Sequence, residues 1–207
     1  MSQYFHIHPE DPQGRLIRQA AAIVRAGGVI VYPTDSGYAL GCFIGNKQAM
    51  DRICAIRKLD KQHNFTLVCR DLADIATYAQ VDNYTFRLLK AHTPGPYTFI
   101  LQATREVPRR LQNAHRKTIG LRVPDHVIAL SLLEALHEPL MSVTLILPEQ
   151  ETPLIEPEAI RDILGHQVDL IIDGGYCGIE PTTVIDLTSD EPQVLRQGKG
   201  DPSPFLK

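Results

Sequence analysis

Residues 28–41 read Gly28-Val29-Ile30-Val31-Tyr32-Pro33-Thr34-Asp35-Ser36-Gly37-Tyr38-Ala39-Leu40-Gly41. An apolar run at 29–32 ends at Pro33, a polar turn follows, and a second apolar run occupies 38–44. Short continuous apolar runs bounded by Gly and Pro predict buried strands. Upstream, residues 13–26 carry apolar side chains at 16, 17, 20, 23 and 24, a helical spacing closed by Gly27-Gly28. Downstream, Asn46 caps a helix that runs to about Arg57.

The same reading extends to the end of the chain. Residues 65–69 predict a strand, and 72–78 and 83–92 predict helices, the second stopped by Thr93-Pro94-Gly95. Strands at 97–103 and 118–123 flank a basic connector. A helix at 128–136, a strand at 140–147 and a helix at 157–164 follow, and strands at 168–173, 183–187 and 193–196 finish the chain. Many strands with helices between them, out of strict alternation, predict a mixed open sheet in an α/β (α+β-like) fold. No repeat or linker interrupts the pattern, so residues 1–207 are read as one domain.

With 43% hydrophobic and 22% charged residues among 207, the composition is that of a globular chain and argues against disorder. No apolar run approaches the roughly 20 residues of a membrane helix. The start, Met-Ser-Gln-Tyr-Phe-His, lacks the basic and apolar regions of a signal peptide. Cys42, Cys54, Cys69 and Cys177 form no C-x-x-C pair, so a reduced, cytoplasmic protein is expected. The net charge of −3 hides a split: 17 Lys+Arg against 9 Asp+Glu through Arg122, and 4 against 15 thereafter. Either one basic face awaits an anionic partner, or the halves interleave and neutralise each other. With no Trp and 6% aromatics, base-stacking platforms are disfavoured.

Three turn-like segments end strands in hydroxyls and glycines: Pro33-Thr34-Asp35-Ser36-Gly37-Tyr38, Pro94-Gly95-Pro96-Tyr97-Thr98 and Pro181-Thr182-Thr183. Each is an ordinary turn or a donor-rich cradle for a small polar ligand or phosphate. Arg57, Lys58 and Lys61 follow the helix after Asn46, where cations complement the helix dipole or clamp phosphate. Residues 105–122 hold Arg105, Arg109, Arg110, Arg116, Lys117 and Arg122 against a single Glu106. This run lines a nucleic-acid groove or forms a solvated loop. His6-x-His8 lacks further metal ligands nearby, and no P-loop, dinucleotide fingerprint or nucleophile elbow is present.

In order and spacing, these segments resemble the YrdC/YciO family, closest to its YciO branch. The resemblance runs over about residues 15–200 and includes Thr118-Ile119-Gly120-Leu121-Arg122-Val123-Pro124, Thr182-Thr183-Val184-Ile185-Asp186 and Leu195-Arg196-Gln197-Gly198. It implies a YrdC-like fold, a twisted open mixed sheet with a concave basic groove. The better-known members make L-threonylcarbamoyladenylate from ATP, L-threonine and bicarbonate for tRNA modification. The implied threonine-binding residues are Thr34, Thr66, Arg122, Ser142 and Thr182. The implied nucleotide and phosphate residues are Arg57, Lys58, Lys61, Thr118, Thr144 and Arg196. Mg²⁺ is implied with ATP; the alternative partner, tRNA or double-stranded RNA, rests on the basic run through Arg105, Arg109, Arg110, Arg116 and Lys117. The resemblance also marks two departures. The synthases' Lys-x-Arg pair reads Arg57-Lys58-Leu59 here, and their Ser-x-Asn pair reads Thr144-Leu145-Ile146. The expected function is therefore a nucleotide- or adenylate-binding enzyme with an altered ATP clamp; the alternative is an RNA-binding module.

Overall fold

The computed structural model describes residues 1–60 and 63–206. Its strands are β1 (Gln3–His6), β2 (Ile30–Thr34), β3 (Gly37–Phe43), β4 (Thr66–Val68), β5 (Tyr97–Gln102), β6 (Thr118–Arg122), β7 (Leu140–Thr144), β8 (Leu170–Asp173), β9 (Thr183–Asp186) and β10 (Gln193–Arg196). They form one sheet of 10 strands in the order β1-β8-β2-β3-β7-β4-β6-β5-β9-β10. The pairs β1–β8, β2–β8, β4–β6 and β5–β9 are parallel, and the other neighbours run antiparallel. This is the mixed open sheet predicted from sequence.

The hairpin of residues 28–44 is the centre of that sheet, with one difference from the sequence reading. Strand β2 does not stop before Pro33: Pro33 pairs opposite Tyr38, and Thr34 pairs opposite Gly37. The partner on the other side, β8, pairs only Ile30 and Val31, so at Pro33 β2 is an edge, where proline's missing N–H is tolerated. Asp35 and Ser36 are left as the two-residue turn, and Gly37 takes a φ of 124°, a conformation natural only to glycine. Strand β7 ends at Thr144 rather than Leu147: its last pair is Thr144 opposite Ala39, and Ile146 N turns back to Thr144 O at 3.0 Å. Strand β1 has no local signal: only Tyr4 and Phe5 are half-buried, and the strand exists through its parallel register with β8.

Six helices flank the sheet: α1 (Gly14–Arg25), α2 (Lys47–Arg57), α3 (Leu72–Tyr78), α4 (Asn83–His92), α5 (Val127–Leu136) and α6 (Pro157–Leu164). Their caps follow the sequence. The side chains of Asn46, Asp71 and Asp82 accept hydrogen bonds from Ala49 N (2.9 Å), Asp74 N (2.9 Å) and Thr85 N (2.7 Å). Helix α1 closes with Gly28 N donating to Ile23 O at 2.9 Å.

Side-chain alternation divides the sheet into unequal faces. One face buries Leu40, Leu67, Phe99, Leu121, Met141 and Ile185 beneath α2, α3, α4 and α6. The other carries Ile30, Tyr32, Ala39, Leu140, Leu170 and Ile172, which α1 and α5 cover through Ile17, Val24, Ile128 and Leu132. That cover reaches only part of the sheet. Further along the same face, the alternation continues into Thr34, Thr66, Ser142, Gly120 and Thr98, and there it lines a cavity instead of a core.

Candidate functional site

The cavity encloses about 410 Å³ above the open half of that face. Its floor follows the register: Ser142 lies opposite Thr66, Thr66 opposite Gly120 and Gly120 opposite Ile100. Gly120 is there for space. A Cβ added to it would lie 3.0 Å from Thr66 Oγ1 and 3.3 Å from Thr98 Cγ2, and would fill the floor.

At one end stands Arg122, the last residue of β6, only 7% exposed. Its Nη1 donates to Ser36 Oγ at 2.9 Å and its Nη2 pairs with the Asp35 carboxylate. Arg122 Nε and Asp35 Oδ2 are both buried with no hydrogen-bond partner among the described residues. Lys199 Nζ donates to the Asp35 carbonyl at 2.5 Å and pins the turn from the C-terminal side. Around this ion pair the hydroxyls are held in place. Thr34 Oγ1 donates to Gly37 O at 2.7 Å, Ser142 Oγ contacts Tyr32 OH at 2.8 Å, and Thr98 Oγ1 contacts Thr182 Oγ1 at 2.8 Å. Burial pushes the Tyr32 phenol up to about 12, so it stays a neutral hydrogen-bonding group.

Beside these hydroxyls the lining turns cationic, and Arg196 Nη2 donates to the same Thr182 Oγ1 at 3.2 Å. Arg57, the last residue of α2, lines the cavity, and its Nε is buried without a partner among the described residues. Arg196 of β10 donates from Nε and Nη2 to Thr182 O at 3.1 and 2.9 Å. Burial lowers the pKa of both guanidiniums, and neither forms an ion pair among the described residues. Desolvated cations without a countercharge favour an anion between them. His63 also lines this end, its pKa lowered by burial and then by the charge of Arg57.

Nine of the residues named for threonine or nucleotide thus face one cavity, Thr34, Thr66, Arg122, Ser142, Thr182, Arg57, Thr118, Thr144 and Arg196, and Arg116 of the basic connector lines it too. Lys58 does not join them. It takes a left-handed conformation (φ 48°, ψ 45°) past the end of α2, and its ammonium lies 3.9 Å from Glu149. Lys61 lies outside the described residues. Ile146 lines the wall, so the position that departs from the Ser-x-Asn pattern presents an apolar side chain.

The basic connector does not act as one strip. Arg110 donates to the Gly45 carbonyl, and Arg105 is exposed beside Glu106 at 3.6 Å. Arg116 reaches Asp186 Oδ2 at 2.7 Å and lines the cavity, while Arg109 and Lys117 are exposed. Sequence reasoning did not single out Asp35, Ser36, Thr98, His63, Asn113 or Lys199. Asp35, Ser36 and Thr98 sat inside the quoted turn segments, whereas nothing local marks His63, Asn113 or Lys199. The four cysteines are free, no group of three or more His, Cys, Asp or Glu residues could hold a metal ion among the described residues, and no described helix is long and apolar enough to cross a membrane.

Comparison with known proteins matches this geometry to one family. A family model covering Sua5, YciO and YrdC, described as telomere recombination, matches residues 22–198. The protein YciO of Escherichia coli K12 is 64% identical over 206 residues, 100% of both chains, and its crystal structure superposes with a TM-score of 0.96. A threonylcarbamoyl-AMP synthase of Halorhodospira halophila is 31% identical over 172 residues, covering 82% of this chain and 89% of the synthase. The crystal structure of P. abyssi Sua5 complexed with L-threonine gives a TM-score of 0.87 at 26% identity over 95% of this chain, which spans 58% of that one. The chain belongs to the Sua5/YciO/YrdC family and is related to threonylcarbamoyl-AMP synthase.

Proposed function

We propose that this chain binds L-threonine at the hydroxyl-lined end of the cavity and an adenine nucleotide at the arginine-lined end, and makes or processes a threonylcarbamoyl-AMP-type adenylate. One observation carries the reading: a single cavity is lined both by a buried guanidinium beside hydroxyls and by two desolvated arginines that form no ion pair among the described residues. The first end suits an amino acid, because a guanidinium takes a carboxylate and hydroxyls take an ammonium or a side-chain hydroxyl. The L-threonine bound by the Sua5 relative supports the assignment. The second end suits phosphates, and stabilising developing phosphate charge is most of what nucleotidyl transfer asks of a protein.

Arg122 meets a carboxylate under a constraint. Asp35 already occupies one edge of its guanidinium and Nε is buried, so a substrate carboxylate exchanges with Asp35. Thr118 and Thr144 stand beside Arg57 and Arg196 with hydroxyls suited to a ribose or phosphate oxygen. The residues present fit ATP through the Arg57 and Arg196 guanidiniums that line the cavity. They offer no carboxylate cage for Mg²⁺, which fits a metal that arrives held by the phosphates themselves. Bicarbonate, the remaining co-substrate, would enter between the two ends.

The RNA partner receives less support. Only Arg105, Arg109 and Lys117 remain exposed on the connector without an inward engagement. A few phosphate contacts give weak, salt-sensitive binding. The cavity is the better-built site, and a cytoplasmic role in tRNA modification follows from the adenylate it would make.

The test is a coupled assay of the purified protein with ATP, L-threonine, bicarbonate and Mg²⁺, following pyrophosphate release and the adenylate, beside a sample given preformed threonylcarbamoyl-AMP. Threonine-dependent pyrophosphate release, or turnover of the added adenylate, is the expected result. Silence in both, with no binding of ATP, AMP or adenylate at millimolar concentration, would overturn the reading.

A further inference from the structure

Arg116 lies in the connector between β5 and β6, and its half-exposed side chain lines the cavity. Its backbone is fixed by a turn on Asn113, whose Oδ1 accepts from His115 N at 3.1 Å and Arg116 N at 2.9 Å, while Asn113 O accepts from Lys117 N at 2.9 Å. From the start of β6 the side chain crosses β5 to β9. There Nη2 donates to Asp186 Oδ2 at 2.7 Å and to Thr188 Oγ1 at 2.6 Å. Asp186 lies beside Ile100, which pairs with Gly120, so it continues the register row of the cavity floor. It also alternates onto the same face as Thr182 and Val184, both cavity-lining.

This anchorage uses one nitrogen of the guanidinium. Nε and Nη1 have no partner among the described residues, which leaves an unused edge of a planar five-donor group beside the cavity. Asp186 is itself immobile: its side chain is 5% exposed, and its Oδ1 accepts from Thr188 N at 2.9 Å and Thr188 Oγ1 at 2.6 Å. A guanidinium held by one corner on a rigid carboxylate keeps its orientation and loses little side-chain freedom on binding an anion. Exposed Arg105, with only the 3.6 Å contact to Glu106, has no comparable anchorage.

We propose that Arg116 is a phosphate-binding residue of the nucleotide end, acting with Arg57 and Arg196 on the polyphosphate of a nucleoside triphosphate or on pyrophosphate, and that Asp186 and Thr188 are its positioning residues. The proposal rests on the nucleotide reading above and assigns Arg116 to the small-molecule site instead of an RNA surface. Three guanidiniums then converge from α2, β10 and the connector, a number suited to a chain of phosphates and excessive for a single carboxylate.

Calorimetric binding of ATP, pyrophosphate, AMP and L-threonine to the full chain tests it. Arg116→Gln is expected to weaken ATP and pyrophosphate about 10-fold, the size of one charge-assisted contact, and to leave L-threonine unchanged. AMP, with one phosphate, should lose less than ATP. Because Arg116→Gln leaves Asp186 without its charged partner, the double variant Arg116→Gln/Asp186→Asn is measured alongside, with thermal melting of each. Restored melting with ATP and pyrophosphate still weak supports a binding role. ATP affinity restored together with melting would reduce Arg116 to a counterion and overturn the proposal. Wild-type ATP and pyrophosphate affinity in Arg116→Gln, with loss in Arg57→Ala, would overturn it while leaving the nucleotide reading intact. Failure of the wild-type chain to bind either ligand would remove the nucleotide reading as well.

Discussion

Two halves of one sheet face obey the same alternation and end differently. Under α1 and α5, the inward positions are Ile30, Tyr32, Leu140 and Ile172, and they make a dry core. Beyond the helices, the same inward positions are Thr34, Thr66, Ser142 and Gly120, and they make a cavity. Within a single strand the change takes two residues: Leu140 is core and Ser142 is site, and Tyr32 of the core touches Ser142 of the site through a 2.8 Å hydrogen bond. A β-strand therefore carries both functions without changing conformation; what changes is whether a helix lies on top. The covered half owes its stability to apolar burial, whereas the open half pairs many of its polar groups with one another and leaves Arg57 Nε, Arg122 Nε and Asp35 Oδ2 without a partner among the described residues.

The largest expected effect is at the hinge of that contrast. Arg122→Ala should destabilise the fold by about 3–5 kcal/mol, because it strands the Asp35 carboxylate, whose side chain is 7% exposed, without its charge partner. Denaturant titration measures this, and Asp35→Asn/Arg122→Met should recover most of it. If the single variant is as stable as wild type, the ion pair is no internal constraint on the site.

Next come the two halves compared directly. Leu132→Ala, in α5 over the covered half, should cost about 2–5 kcal/mol of stability by leaving a cavity. Thr66→Val on the open half should stay within about 0.5 kcal/mol of wild type while L-threonine affinity falls about 10-fold. Equal losses of stability in the two variants would mean that the open half is core after all.

The remaining effects are titrations. Burial raises the Asp186 pKa, but hydrogen bonds from Thr188 and the Arg116 charge together hold it below its ordinary 3.8. A depressed carboxylate contributes stability above the unfolded value and loses it as pH falls through the folded one. Arg116→Gln should therefore cost stability near neutral pH, and its deficit against wild type should narrow as pH falls through the carboxylate range, read by denaturant titration followed by circular dichroism. His63 gives the smallest signal. Burial and Arg57 hold its pKa below 6.5, so polyphosphate bound at Arg57 should raise it, and histidine NMR with and without pyrophosphate would register the shift. No movement would place the phosphates away from Arg57.

Much of this was legible along the chain. The helices over residues 13–26 and 46–57 announced themselves through apolar spacing and through Gly27 and Asn46, since caps and periodicity are local properties. Thr34, Thr182 and Arg196 sat in short polar segments at strand ends, which is where an open sheet places ligands. Strand β1 was not legible, because an edge strand with two half-buried residues exists only through its partner β8. Nor was the parting of the basic residues: Arg110 turns to Gly45 and Arg116 to Asp186, 70 residues away in sequence.

The sequence by itself determined most of the strands and helices, β1 excepted, and which strand ends carry hydroxyls and cations. Those choices are made by neighbours within a few residues, through backbone sterics and the period of the apolar side chains. Only the tertiary structure decided that α1 and α5 stop short across the sheet, that Lys58 faces away while Arg116 faces in, and that Asp35 holds the guanidinium of Arg122. Contacts between residues far apart in the chain depend on which surfaces the packed helices leave uncovered, and no local pattern encodes that.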